Sequence, residues 1–439
     1  MSWQEEYDRK RTTAAEAVYG VRSGDRVYMH PGCATPEVLV QALLDRAGSL
    51  EDVEIIHLKT LGNADYSHPR YDGIFRTVGL FIGENVRDAV ADGRADYMPI
   101  FLHEVEGLFE TGACPLDHVF LQLSPPDKYG YMSLGVGVDC TLTAAKNARR
   151  VVAEVNPRMP RTHGQTFLHV SEVHAVVEVD HELPELHPAP ANEIQVRIAR
   201  NVASLIPDGA TLQLGIGEVP DAVLASLTGH KDLGLHTEMF SDGVIPLIES
   251  GVMNGAAKSL HAGKLIAGFV LGTRKLFNFV DDNPLLEFHP NKYVCDPFVI
   301  SRNRKMVAVN SALQVDITGQ VCADSIGAKL YSGFGGQVDF IRGAAHSEGG
   351  KPIIALPSTA KKGTISRIAP MLDPGAGVVT SRADVHYVVT EHGVAFLHGK
   401  TLRQRAEALI GIADPKFREM LYDFAYDMHY LRPRLVPAG

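Results

Sequence analysis

The 439-residue chain has no apolar run long enough to cross a bilayer. Its apolar runs, such as the one containing Gly268-Phe269-Val270-Leu271, fall far short of the roughly 20 residues that a spanning helix needs, so no membrane contact is expected. The amino terminus, Met1-Ser2-Trp3-Gln4-Glu5-Glu6, carries an early acidic pair and no apolar stretch, which argues against a secretory signal. Cysteine is sparse. Cys33, Cys114, Cys140, Cys295 and Cys322 form no CxxC pair, and their odd number argues against a disulfide framework, so the cytoplasm is the expected compartment. A His-Glu-x-x-His zinc helix and a Gly-x-Ser-x-Gly elbow are both absent, which removes two common hydrolase designs. His236-x-Glu238 lacks the i, i+4 ligand pair, and His163, His169 and His174 follow no familiar ligand spacing. No metal site is expected. A net charge of −10 disfavours nucleic acid as a partner, although local cations and helix amino termini still suffice for a phosphate.

What is present reads as a soluble α/β protein of two domains, since 439 residues exceed what one core usually holds. The two halves are related. Val27-Tyr28-Met29 leads to Gly32-Cys33-Ala34-Thr35-Pro36 and an apolar helix pattern; Thr211-Leu212-Gln213-Leu214 leads to Gly215-Ile216-Gly217, Pro220 and another. Val119 to Leu123 precedes Asp127-Lys128-Tyr129-Gly130, as Met306 to Asn310 precedes Asp316-Ile317-Thr318-Gly319. Val151 to Val155 matches Ile353 to Pro357. Three correspondences in one order point to an internal duplication with mostly parallel sheets. The proline-rich segment His181 to Pro190 reads as an extended linker, which divides the chain into domains 1–185 and 186–439.

The segment Leu235-His236-Thr237-Glu238-Met239-Phe240-Ser241-Asp242-Gly243 sets one carboxylate at the end of an apolar strand pattern. Upstream lies the strand–glycine–helix pattern of Gln213 to Gly217. Downstream lies Ser332-Gly333-Phe334-Gly335-Gly336. Glycine loops present backbone N–H groups to anions, so a carboxylate flanked by two of them suits covalent chemistry on an acyl group. The Gly215-x-Gly217 pair lacks the third glycine and the later acidic residue of a dinucleotide fingerprint, so a nicotinamide enzyme is a poor fit.

Together with Asn310-Ser311 and Val389-Thr390-Glu391-His392-Gly393-Val394-Ala395, these motifs, in this order, resemble the class I coenzyme A transferases. The branch is the acetyl-CoA hydrolase/transferase group, with the 4-hydroxybutyrate and butyrate CoA-transferases. The resemblance implies two CoA-transferase-type domains and CoA exchange between a short-chain acyl-CoA, acetyl-CoA foremost, and a small carboxylic acid. Glu238 would be the nucleophile of a ping-pong route through a glutamyl-CoA thioester, and Gly336 would donate to the oxyanion. Gln213, Leu214, Gly215, Ile216, Gly217, Asn310, Ser332, Gly333, Gly335 and Lys361 would bind CoA, Lys361 through a phosphate. His30 would belong to the acyl pocket. Coenzyme A enters as substrate and no permanently bound cofactor is implied. Relatives are oligomeric, so a homodimer is expected. Cys295 stands where similar proteins carry asparagine. Two alternatives remain: an acyl-CoA hydrolase on the same scaffold, and a CoA-binding module without activity.

Overall fold

The structure, a computed structural model, describes residues 2–187, 189–215 and 217–432. Two large sheets organise it. The first contains β1 (Arg26–Met29), β2 (Val53–His57), β3 (Phe75–Gly79), β4 (Ala95–Tyr97), β5 (His118–Leu123), β6 (Arg150–Val155) and β7 (Ala175–Glu178), in the order β4-β3-β2-β1-β5-β6-β7. Every pairing in it is parallel. The second contains β8 (Thr211–Leu214), β9 (Gly234–Phe240), β10 (Leu265–Val270), β11 (Leu286–Phe288), β12 (Met306–Ser311), β13 (Lys351–Ala355), β14 (Tyr387–Thr390) and β15 (Gly393–Phe396). Its order is β11-β10-β9-β8-β12-β13-β14-β15, parallel except for the final β14–β15 pair.

The two orders are the same walk: four strands laid down in one direction, then a return past the first strand. The three correspondences read in the sequence occupy equivalent places, β1 with β8, β5 with β12 and β6 with β13. The chain is a duplicated α/β fold. Strands such as β5 and β8 are buried along their whole length, as expected where helices or a neighbouring domain cover both faces of a parallel sheet. Side-chain alternation divides the first sheet cleanly. Val27, Met29, Ile55 and Phe120 face one apolar cluster, whereas Tyr28, Ile56, Val119 and Leu121 face another. That second cluster continues without a break into Leu212, Leu235, Ile266 and Val307 of the second sheet, so the two domains share one core.

Helices fill the crossovers. After β1, Pro36 stands at the N-cap of α1 (Glu37–Asp45). The linker ends at α2 (Glu193–Ala203), which Asn192 and Gln195 close with a reciprocal capping box. Glycine 217 heads α3 (Glu218–Ala225), which places Pro220 inside the first turn, where a missing N–H costs no helical bond. The described residues of the proline-rich segment form neither helix nor strand, but the segment is tied down. Leu183 is buried, the Leu186 N–H donates to Gly272 O at 2.9 Å, and the Arg274 N–H donates to Glu185 at 3.1 Å.

Backbone hydrogen bonds stitch the first domain to β10 and β11. Val270 N–H donates to Val136 O (2.8 Å), Asp139 N–H to Gly268 O (3.0 Å) and Gln165 N–H to Phe288 O (2.9 Å). Gly164 is the tight point of this seam. Its φ is +103°, and a Cβ there would stand 2.3 Å from Phe288 O. Backbone strain and steric overlap both oppose a side chain, so Gly164→Ala should destabilise the protein by about 2–4 kcal/mol. Chemical denaturation followed by circular dichroism measures this, and an unchanged midpoint would contradict the seam.

Candidate active site

The carboxyl ends of the parallel strands converge between the domains, and a cavity of about 280 Å³ opens there. Pro31 and Gly32 follow β1, Leu58 and Lys59 follow β2, and Phe81 to Glu84 follow β3. From the second domain come Glu238 and Met239 near the end of β9, Phe269 to Leu271 at the end of β10, and Ser332 and Gly335 from the glycine loop. The walls are mostly apolar. Glu84, Asp139 and Glu238 provide carboxylates, and Lys59 and Arg87 provide cations.

Glu238 is half-buried on a strand whose other residues are fully buried. Its Oε2 is a buried oxygen with no hydrogen-bond partner among the described residues. Burial pushes its pKa from 4.5 up to about 7; the nearby Asp339 charge pushes the same way, and the Gly336 amide draws it part of the way back. Asp339 is itself buried on α4 (Gln337–His346), where His103 Nδ1 approaches its carboxylate at 2.8 Å and the His103 N–H donates to it at 3.3 Å.

The glycine loop meets this carboxylate at the head of α4. Gly336 is the N-cap, and a Cβ on it would stand 2.2 Å from Glu238 Oε2, so only glycine allows so close an approach. Gly335, at φ +51°, faces the other carboxylate oxygen. The first domain holds the loop from outside. Ile82 N–H donates to Ser332 O (3.1 Å), and Leu102 N–H donates to Gly335 O (3.2 Å). Gly333 packs against Phe81 and Tyr97. Ser332, Gly335, Gly336 and Glu238 are thus brought together, with Gly333 at the back of the loop.

Other residues singled out in the sequence stand elsewhere. Gln213 and Asn310 spend their side-chain amides on each other, at 3.1 and 3.3 Å, joining β8 to β12 beneath the site. Leu214 is buried, and its carbonyl accepts from Thr237 beside Glu238. Gly215 and Gly217 lead into α3, with Gly217 at φ +110°; Ile216 lies outside the described residues. Lys361 is exposed on a turn between the short strands Thr359–Ala360 and Ile365–Ser366. None of the described residues among these lines the cavity. His30 differs most from expectation. Its ring is fully buried, with Nε2–H donating to Gly137 O at 2.5 Å and Nδ1 accepting from the Gln122 N–H at 3.2 Å. Side-chain alternation at the end of β1 turns His30 into the protein, and the neighbouring Pro31 and Gly32 form the wall instead.

The acetyl-CoA hydrolase/transferase N-terminal domain model matches residues 1–185, and the corresponding C-terminal domain model matches residues 272–425. A 4-hydroxybutyrate coenzyme A transferase of Clostridium kluyveri is 52% identical over 421 residues, 96% of this chain and 98% of that protein. A succinyl-CoA:acetate/propanoyl-CoA:succinate CoA transferase of Fasciola hepatica is 48% identical, covering 94% and 87%. The solved structure of a 4-hydroxybutyrate CoA-transferase from Porphyromonas gingivalis superposes with a TM-score of 0.84 at 41% identity, covering 97% of this chain and all of that one.

The chain belongs to the acetyl-CoA hydrolase/transferase family. It is an enzyme of the CoA-transferase type, with CoA thioesters as substrates.

The positive groups at the cavity, Lys59 and Arg87, were missed by motif reading. Lys59 is half-buried and its amine is held below the ordinary lysine range by burial. The Arg87 guanidinium lies 3.8 Å over the Tyr331 ring, and its Nε donates to Tyr331 O at 3.0 Å. Neither sits in a recognisable motif. The available signal was positional, because both belong to segments that follow parallel strands, and those segments must meet at one end of the sheet. Phe81 and His103 went unremarked for the same reason.

The raised pKa of Glu238 has a signed consequence for stability. Folded, it keeps its proton up to about pH 7, whereas its ordinary value is 4.5, so stability falls as pH rises through that interval. Above it, the ionised carboxylate costs the fold up to about 3 kcal/mol. Glu238→Gln should therefore melt at a higher temperature than the wild type at about pH 8. The difference should vanish near pH 4.5, and calorimetry across that range checks it; equal melting temperatures at pH 8 would contradict the burial argument.

Proposed function

We propose that this enzyme moves CoA between a short-chain acyl-CoA, with acetyl-CoA the expected donor, and a small carboxylate of the 4-hydroxybutyrate or butyrate type, through a glutamyl-CoA thioester on Glu238. A cavity of about 280 Å³ accommodates an acyl group of a few carbons, and its apolar walls suit the hydrocarbon part. The observation that carries the reading is Oε2 of Glu238: a buried carboxylate oxygen in that cavity, with no hydrogen-bond partner among the described residues.

The chemistry follows from that oxygen. Ionised Glu238 attacks the thioester carbonyl, the C–S bond breaks, and CoA leaves as thiolate from a mixed anhydride. The thiolate attacks the glutamyl carbonyl, the anhydride C–O bond breaks, and the first acid departs as carboxylate. An incoming carboxylate then reverses the two steps. Each tetrahedral intermediate carries an oxyanion, and the Gly336 amide at the positive end of α4 would stabilise it. Burial leaves the carboxylate with little water to shed before it attacks, and a pKa near neutrality leaves a useful fraction ionised. The Gln213–Asn310 pair and the Gly215 to Gly217 junction would then support the CoA side of the site, and Lys361 a CoA phosphate.

Release of CoA from acetyl-CoA should stay near background until a carboxylate acceptor is added, then rise with acceptor concentration. Glu238→Ala should lower acceptor-dependent transfer by about 10³-fold or more. A stopped thiol assay with a panel of acids measures both. Steady CoA release without any acceptor would favour the hydrolase reading, and full transfer by the alanine variant would overturn the mechanism.

A further inference from the structure

On the far edge of the second sheet, outside the cavity, His261, Glu287 and His289 present three ligand atoms within 4.8 Å of one another. Glu287 lies in β11, and His289 follows two residues later, so strand alternation puts both on one side. His289 Nε2 stands 3.3 Å from Glu287 Oε2, and His261 Nδ1 stands 3.7 Å from the same oxygen. Nitrogen and oxygen ligands at about 2.1 Å in a tetrahedral set are about 3.4 Å apart, so the two edges that meet at Glu287 Oε2 already match those of a zinc polyhedron, and the third lies within 4.8 Å.

Two further observations concern His261. Its Nε2 lies 2.6 Å from Tyr293 Oη; with the proton on Nε2 donated there, the Nδ1 lone pair is free to face the other two ligands. A hydrogen bond that fixes the tautomer of a histidine in this way is the usual outer support of a metal ligand. His261 also holds φ at +52°, an unfavourable backbone for a non-glycine residue, in the turn that precedes β10. Lys264 approaches Glu287 only through Oε1, at 3.8 Å, which leaves Oε2 for the cluster.

We propose that His261, Glu287 and His289 form a zinc site, with water in the fourth position, that clips the turn before β10 to the edge strand β11. All three side chains are partly exposed, so the ion has access from solvent. None of them lines the cavity, so the site is separate from the transfer chemistry.

The full-length chain, stripped with chelator and titrated with zinc chloride by calorimetry, should bind one zinc per chain and melt at a higher temperature with zinc than without. His261→Gln, Glu287→Gln and His289→Gln should each weaken binding by more than about 10-fold, and Tyr293→Phe by about 10-fold. Cobalt(II) should give the visible absorption of a four-coordinate site in the wild type and none in the His261→Gln, His289→Gln double variant. Acceptor-dependent transfer in the variants serves as the check that they are folded. Failure of the wild type to bind zinc would overturn the proposal. So would binding that the ligand variants leave undiminished, since the ion would then sit elsewhere.

Discussion

Between the two domains, the glycine loop at the head of α4 lies against the carboxylate of Glu238 more closely than any side chain would permit. Gly336 has no room for a Cβ beside Oε2, and the loop cannot relax away, because Ile82 and Leu102 of the first domain hold its carbonyls. The rest of the site depends on this clamp. It needs both domains in place, which the shared apolar core and the seam at β10 and β11 provide. It keeps Glu238 partly out of water, which raises its pKa, and it aims the amino terminus of a helix at that carboxylate.

Duplication supplied the frame, and divergence supplied the chemistry. The β1–β2 register pairs Arg26 with Glu54, and the β8–β9 register pairs Thr211 with Gly234. Just past β2 and near the end of β9, the two halves place Leu58 and Glu238, and both line the cavity. At these positions one copy contributes an apolar side chain and the other the carboxylate of Glu238. Two carboxylates there would have raised each other's pKa and left neither freely ionised near neutrality.

Much of this was legible in the sequence because strand patterns and glycine loops are local signals. The strands Val27 to Met29, Val119 to Leu123 and Val151 to Val155 and their counterparts in the second half were placed by apolar runs alone, and Glu238, Ser332, Gly335 and Gly336 by their motifs. His30 shows where local reading stops. It adjoins a glycine loop, but strand alternation, together with the Gly137 carbonyl and Gln122 amide on segments far away in sequence, turns its ring into the core. Lys59 and Arg87 carry no motif and reach the cavity only because parallel strands end together. The clamp on the glycine loop, from Ile82 and Leu102, is made of backbone groups that no side-chain pattern announces. Among the histidines, the segment 163–174 attracted notice by proximity in sequence, whereas the three-ligand cluster of His261, Glu287 and His289 is assembled by tertiary folding.

The central claim is that Glu238 becomes covalently attached to CoA. Incubation with acetyl-CoA, reduction with borohydride and peptide mapping by mass spectrometry tests it directly. A glutamyl thioester is reduced to the alcohol, so the account predicts a mass change confined to the peptide that contains Glu238 and absent when acetyl-CoA is omitted. An unmodified Glu238 peptide in enzyme that still exchanges CoA between acids would contradict it.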